Sequence, residues 1–196
     1  MIKPAKSLFT WKARSFYFLF SLAVIYSIYV TTRGFLGEVS ALQVGSRLEQ
    51  WGSEQGLETT LSPKEWHIAL AEAEKALRYN PSPANYYIQL GALHEWRQSI
   101  DYENLAPTAE NRHRQLAIEA YRRSISLRPA WPDGWIHLAR QKALVNERDD
   151  ELHFAMTRAL TLGNNEPRIQ ALAIEVIALS WPFFADNDEI NRLIAE

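Results

Sequence analysis

Five histidines are the first residues to question for chemistry: His67, His94, His113, His137 and His153. A zinc helix needs two of them four apart on one face, or the His-Glu-x-x-His spacing, and no pair meets either requirement. Cysteine is absent altogether. That removes thiol nucleophiles, thiolate zinc sites, iron–sulfur clusters and c-type haem attachment. The run Asp186-Asn187-Asp188-Glu189 offers carboxylates but lacks the glycine and distal glutamate of a calcium loop. It suits a helix N-terminus, as does Asp149-Asp150-Glu151, where the helix dipole favours negative charge. No glycine-rich phosphate loop and no Gly-x-Ser-x-Gly elbow occurs. The expectation is a chain with no catalytic residue, no metal site and no cofactor, which acts by binding. A hydrolase with an unrecognised site is the alternative, and it requires convergent carboxylates in a deep pocket.

Two sets of side chains could bind. Arg112-His113-Arg114 with Arg122-Arg123 forms a basic patch, either a solvated helix face or a contact for an anionic chain. Tryptophan is abundant, and Trp51, Trp66, Trp135 and Trp181 suit packing. Trp96 and Trp131 could instead stack on a partner or on sugar rings, the route to a polysaccharide contact. His94 falls where a packing aromatic is expected, so core or groove lining is its role. Four of the 21 basic residues, Lys3, Lys6, Lys12 and Arg14, precede the first apolar run; the other 17 face 23 acidic residues, so the chain from Ser15 onward carries about −6. A mildly acidic body gives no basic face for nucleic acid.

These residues must be positioned by helices, and the first is a membrane anchor. Ser15 to Thr32 (SFYFLFSLAVIYSIYVTT) holds no charge. Eighteen helical residues rise about 27 Å, close to the hydrocarbon thickness of about 30 Å. Trp11, Phe16 and Tyr17 lie toward one end, Tyr26 and Tyr29 toward the other, the aromatic belts of a span. Basic residues cluster before it, so the positive-inside rule assigns residues 1–14 to the cytoplasm and the body to the far side. The span touches lipid and is retained. Tyr29 to Arg33 is a poor cleavage site for a signal peptide, and Val39-Ser40-Ala41 lies too far downstream.

Residues 33–61 read as a linker helix with Leu36, Val39, Leu42, Val44, Leu48 and Trp51 at helical spacing, fraying at Gly52, Ser53 and Gly56. Residues 62–196 read as helices throughout. Ser62-Pro63-Lys64-Glu65 is a capping box with proline at the first helical position. Trp66, Ala69, Leu70, Ala73 and Leu77 mark its inner face. Ser82-Pro83 repeats the cap signal for a helix to about Gln98, Asp101 to Pro107 is a loop, and Thr108 or Asn111 caps the next helix. Leu116, Ala117, Ala120, Tyr121, Ser124 and Ile125 face inward there. Further helices are expected from Pro132 to Val145, from Asp149 or Asp150 to a Gly163 cap, from Pro167 to Ser180, and from Asn187 or Asp188.

The helices repeat. Tyr87-x-x-Leu90-Gly91 corresponds to Trp135-x-x-Leu138-Ala139, and Ala69, Ala73, Ala76-Leu77 and Pro81 correspond to Ala117, Tyr121, Ser124-Ile125 and Pro129, both at an offset of 48 residues. In aromatic, Leu-Gly, Ala and Pro order this resembles the tetratricopeptide family, whose unit is about 34 residues. The excess of about 14 residues fits one insertion near 99–111. The resemblance implies an all-α chain: an N-terminal transmembrane helix followed by a tetratricopeptide-like right-handed superhelix of helical pairs, the alternative being an unrelated antiparallel bundle. It also implies a groove for protein partners lined by the first helix of each pair, which places Asn85, Ile88, Ala92, Glu95, Trp96, Asp133, Ile136 and Arg140 there. The clamp that such proteins use for C-terminal carboxylates is not reproduced, because Ile88, Ala92 and Ile136 occupy its positions.

The layout, with Asn80 to Trp96 (NPSPANYYIQLGALHEW), is similar to the small VpsP-type accessory proteins of bacterial exopolysaccharide biosynthesis. That resemblance implies a non-catalytic scaffold at the inner membrane, its body in the periplasm, with protein partners in the membrane or periplasm. An adaptor for another envelope process, such as cytochrome c maturation or cell division, is the alternative.

Overall fold

The computed structural model describes residues 6–53, 62–99, 107–184, 190 and 192. Helices are the only regular elements among them: α1 (Lys6–Gly52), α2 (Pro63–Tyr79), α3 (Ala84–Ser99), α4 (Pro107–Leu127), α5 (Pro132–Leu144), α6 (Asp150–Gly163), α7 (Pro167–Leu179) and the short α8 (Trp181–Phe184). They form antiparallel hairpins. α1 packs on α2, α3 on α4 and α5 on α6; each hairpin then packs on the next through α2–α3, α4–α5 and α6–α7.

α1 is one unbroken helix of 47 residues, about 70 Å long at 1.5 Å per residue. Its first half is long and apolar enough to cross a membrane, and none of that apolar stretch is buried among the described residues. Its second half is not a linker. Gly37, Ser40, Ala41, Val44 and Trp51 are buried against α2 and α3, so the body begins near Gly37. Of the apolar residues at helical spacing here, Val44 and Trp51 are buried while Leu36, Val39 and Leu42 are exposed. The buried stripe is the neighbouring one of smaller residues, which lets α2 approach closely. A Cβ at Gly37 would lie 3.3 Å from the Ala76 carbonyl oxygen.

Local chemistry sets most of the helix starts. Ser62 and Glu65 form the capping box: the Glu65 amide donates to Ser62 Oγ at 3.2 Å and the Ser62 amide to Glu65 Oε2 at 3.3 Å. Asp149 caps α6 by accepting from the Leu152 amide at 2.9 Å. α5 and α7 open on Pro132 and Pro167 without a side-chain cap, since proline has no amide to satisfy. Three boundaries differ from expectation. α3 starts at Ala84, after Pro83, while the Ser82 amide donates to the Asn80 side chain at 3.2 Å in a turn. α4 starts at Pro107, so Thr108 and Asn111 lie inside it and the end of the expected insertion is helical. Gly163 is the last residue of α6 and does not adopt a left-handed cap. A Cβ there would lie 2.9 Å from Ile169 Cγ1 and 3.0 Å from Pro132 Cβ, so glycine is needed for close approach. The rest of the insertion, residues 100–106, and the Asn187 or Asp188 cap lie outside the described residues.

The turn from α5 to α6 closes by a different device. Asn146, at φ 60°, is the one non-glycine residue with positive φ among the described residues. The Glu147 amide donates to the Lys142 carbonyl at 2.9 Å and the Asn146 amide to the Ala143 carbonyl at 3.1 Å. These are the two bonds of a Schellman end, with asparagine in the left-handed position.

The largest core joins α4 to α7: Ala117, Ile118, Tyr121, Ile136, Leu138, Leu152, Met156, Leu160, Ile169 and Val176 are buried together. Gly91 is the tightest point of the α3–α4 hairpin. A Cβ there would meet the Tyr121 ring at 2.5 Å, and Tyr121 is fully buried. Gly91→Ala should therefore destabilise the chain by about 1–3 kcal/mol through overpacking. Urea unfolding of the full chain in detergent, followed by circular dichroism, should give a lower midpoint with an unchanged slope.

Candidate functional site

α1, α3, α5 and α7 lie side by side along one face of the body, backed by α2, α4 and α6. Between α1 and α3 this face opens into a crevice of about 270 Å³, walled by Glu38, Leu42 and Glu49 from α1 and by Asn85 and Gln89 from α3. Gly45 lets the helices approach, since a Cβ there would touch the Gln89 amide nitrogen at 3.0 Å. The Tyr86 hydroxyl donates to Glu38 Oε2 at 2.7 Å. Burial and the neighbouring carboxylate push that phenol well up from its ordinary value, so it stays a donor.

Further along, the face is bound by an ionic chain. Arg140 donates through Nη1 to Glu95 Oε2 and through Nε to Glu175 Oε1, both at 2.9 Å. The Tyr121 hydroxyl donates to Glu95 Oε1 at 2.5 Å. His137 Nδ1 lies 3.5 Å from the same oxygen, and its ring stacks on Tyr121 with centroids 5.1 Å apart. Burial pushes the Glu95 carboxyl up, but the His137 imidazole, the Arg140 guanidinium and the Tyr121 hydroxyl outweigh it and hold the group below the carboxylate range. Burial and the Glu95 charge together push the Tyr121 phenol well up. Such a pair exchanges no proton near neutral pH, which makes it a poor acid–base couple.

Of the residues expected in the groove, Asn85 lines the crevice. Ile88 is half-buried and packs on the main core, and Ala92 is half-buried. Glu95 and Arg140 are held in the ionic chain. Trp96 is half-buried, edge-on to Trp51 with centroids 6.0 Å apart. Two do not belong to an open groove. Ile136 is fully buried in the core, and Asp133 is buried under an ion pair with Arg168. Their helix turns inward because Gly134 sits against Ile125, where a Cβ would meet Cγ1 at 2.9 Å. The crevice residues Glu38, Leu42, Glu49 and Gln89 were missed. Their signal is the three-and-four spacing of Glu38, Leu42, Gly45 and Glu49 beside the buried stripe of α1.

The basic patch is largely consumed inside the protein. Arg122 makes a two-pronged pair with Glu151 at 2.8 and 2.6 Å. Arg114 pairs with Glu110 and donates to the Leu144 carbonyl at 2.7 Å. The Arg123 guanidinium lies over the Tyr87 ring. Alongside, Lys142 is a buried cation whose Nζ meets Glu147, Asp149 and Glu151 at 3.0, 2.8 and 2.8 Å. The Arg122 hydrogen bonds lead in drawing the Glu151 carboxyl down to about 2, against burial and with help from Lys142. His94 and His113 face each other with Nδ1 atoms 3.1 Å apart, beside Trp66. Burial, with the His113 charge, lowers His94 to about 4, so it is a neutral packing group at physiological pH.

No protein-family model matches the chain, and no curated protein sequence matches it.

The ionic chain yields a prediction on stability. Glu95 has a folded-state pKa below its ordinary 4.5, so its stabilisation is complete above that value and fades as pH falls through the folded one. Acid unfolding monitored by circular dichroism should be less steep for Glu95→Gln than for the parent chain. Arg140→Ala removes one charged partner of the half-buried Glu95 carboxylate while Tyr121 and His137 remain, and urea titration at neutral pH should show a loss of about 1.5–3 kcal/mol.

Proposed function

We propose that this chain is a non-catalytic, membrane-tethered adaptor of tetratricopeptide type that takes part in bacterial exopolysaccharide synthesis or export. The observation that carries the adaptor reading is the packing order. Antiparallel pairs stack so that α1, α3, α5 and α7 share a face with a crevice, while α1 continues out of the body as an exposed apolar helix. Stacked pairs of this kind bury a continuous core and present one extended face for binding. The 48-residue correspondence supports the assignment to right-handed tetratricopeptide pairs, since Gly91 is the close-approach point that the pattern calls for.

Three further observations support the rest. The basic residues before the span favour a cytoplasmic N-terminus and a periplasmic body at the inner membrane. A non-catalytic role is supported by the saturation of Glu95, Glu175, Tyr121 and Arg140 by one another. The stretch Asn80 to Trp96 supports exopolysaccharide as the pathway. The second reading keeps the architecture and replaces the partner with cytochrome c maturation or cell-division machinery.

The experiment is affinity purification of the full chain from detergent-solubilised envelopes of its own host. Recovery of polysaccharide polymerisation or export components is expected, with polymer output falling on deletion. Recovery of cytochrome maturation or division components, with normal polymer output, selects the second reading. Asn85→Leu with Gln89→Leu should reduce partner recovery several-fold and leave the circular dichroism spectrum unchanged. The body should stay with the membrane through alkaline carbonate extraction.

A further inference from the structure

The path of α1 fixes which end of the body faces the bilayer, provided that the proposed span is the anchor. α1 leaves the span at Thr32 and packs antiparallel to α2, so α2 returns toward the membrane. Its last turn closes on the exit point. Arg33 donates through Nη2 to the Arg78 carbonyl at 2.5 Å and through Nη1 to the Tyr29 hydroxyl at 2.9 Å. Each later hairpin reverses direction again. α4 and α6 therefore end on that side, and α3, α5 and α7 begin there. Contacts tie these ends together: Arg123, near the end of α4, lies 5.9 Å from the Tyr87 ring in the first turn of α3, and Gly163 at the end of α6 abuts Pro132 and Ile169.

The loop between α4 and α5 has the chemistry of a membrane interface. Arg128, Pro129 and Ala130 are exposed and Trp131 is half-buried. The Arg128 guanidinium lies 4.9 Å over the Trp131 ring. A snorkelling cation and an amphipathic indole are the side chains that settle at headgroup level. The charge balance of this end is positive. Arg33, Arg78, Arg123, Arg128 and Arg168 lie here against Glu74, Asp133 and Glu166; Asp133 is buried under Arg168, and Glu74 is 3.9 Å from Arg78. This is the reverse of the acidic balance of the body as a whole.

We infer that the Arg128–Trp131 loop seats the body on the bilayer, with Arg128 recognising the phosphate of an anionic phospholipid. α1 alone would leave the body free to tilt about the exit point. A second contact one hairpin away fixes its orientation over the membrane.

The absence of cysteine makes the test clean. Ala130→Cys at the membrane end and Asp150→Cys at the opposite end would each be labelled with a fluorophore. The full chain would be reconstituted in vesicles of phosphatidylcholine and phosphatidylglycerol carrying a headgroup spin-labelled lipid. The label at 130 should be quenched several-fold more than the label at 150. Adding Arg128→Glu, or replacing phosphatidylglycerol by phosphatidylcholine, should cut that quenching by about half or more, in line with the attraction of one arginine for an anionic surface. Equal quenching at the two positions, in protein that floats with vesicles after carbonate washing, overturns the seating and leaves the span intact. Strong quenching at 130 that ignores both changes overturns the recognition of anionic lipid. Failure to float overturns the span and the seating with it.

Discussion

An α-helix cannot change direction without giving up backbone hydrogen bonds, and α1 is unbroken from Lys6 to Gly52. One rigid rod therefore belongs both to the apolar segment and to the body. Among the described residues nothing sheathes its lower half; its upper half is buried through Gly37, Ala41, Val44 and Trp51. The small residues bring α2 close enough for its own alanines, Ala69, Ala73 and Ala76, to pack without a gap. All the later hairpins are stacked in sequence on this first one. The orientation of the body relative to the apolar segment is thus set by a stripe only four turns long, and a bulky residue in that stripe would tilt everything stacked beyond it.

Charge in this protein is spent on architecture. Arg140 ties α3 to α7 across α5, with Glu95 on one side and Glu175 on the other. Lys142 gathers the acids of the α5–α6 turn and shares Glu151 with Arg122 of α4. Both cations carry more than one carboxylate, so each carboxylate is stabilised without a free cation beside it. The Lys142 centre also explains the turn. In a Schellman end the residues that bracket the reversal commonly make an apolar contact; here Lys142 and Glu147 occupy those places and make an ion pair at 3.0 Å. Groups so well satisfied hold helices in register and leave little capacity for proton transfer.

Much of the fold was legible in the sequence, because helix signals are local. The capping box at Ser62 and the Asp149 cap appear where composition puts them. The 48-residue correspondence pointed to Gly91 as a contact point, and the Tyr121 ring lies there. Ser82-Pro83 misled because a serine that serves as a turn residue has the same signature as a cap. In the second half of α1 the sequence marked a helix but not which of its faces packs. Leu36, Val39 and Leu42 are more apolar than Gly37, Ser40 and Ala41, and hydrophobicity alone selects the wrong stripe when the partner helix demands small residues. The site was less legible still. The groove positions carried over by resemblance placed Ile136 and Asp133 at the surface, whereas the inward turn of α5 at Gly134 buries both. The crevice is built from two distant helices: the spacing of Glu38, Leu42, Gly45 and Glu49 marks one wall of it, but not that Asn85 and Gln89 form the other.

The position of the crevice bears on what can reach it. Along α1, Glu38 lies five residues beyond Arg33 and Glu49 sixteen, which puts the crevice about 8–24 Å above the exit point. The headgroup layer beyond the hydrocarbon is about 5–7 Å deep on each side. For a membrane-tethered body the crevice thus begins just above the lipid, beside the exposed Val39 and Leu42. A partner held in the same membrane would meet it at high effective concentration and would need little intrinsic affinity. A freely diffusing partner gains nothing from that position. The height of the crevice above the exit point therefore favours a membrane neighbour over a soluble one as the occupant of the proposed adaptor.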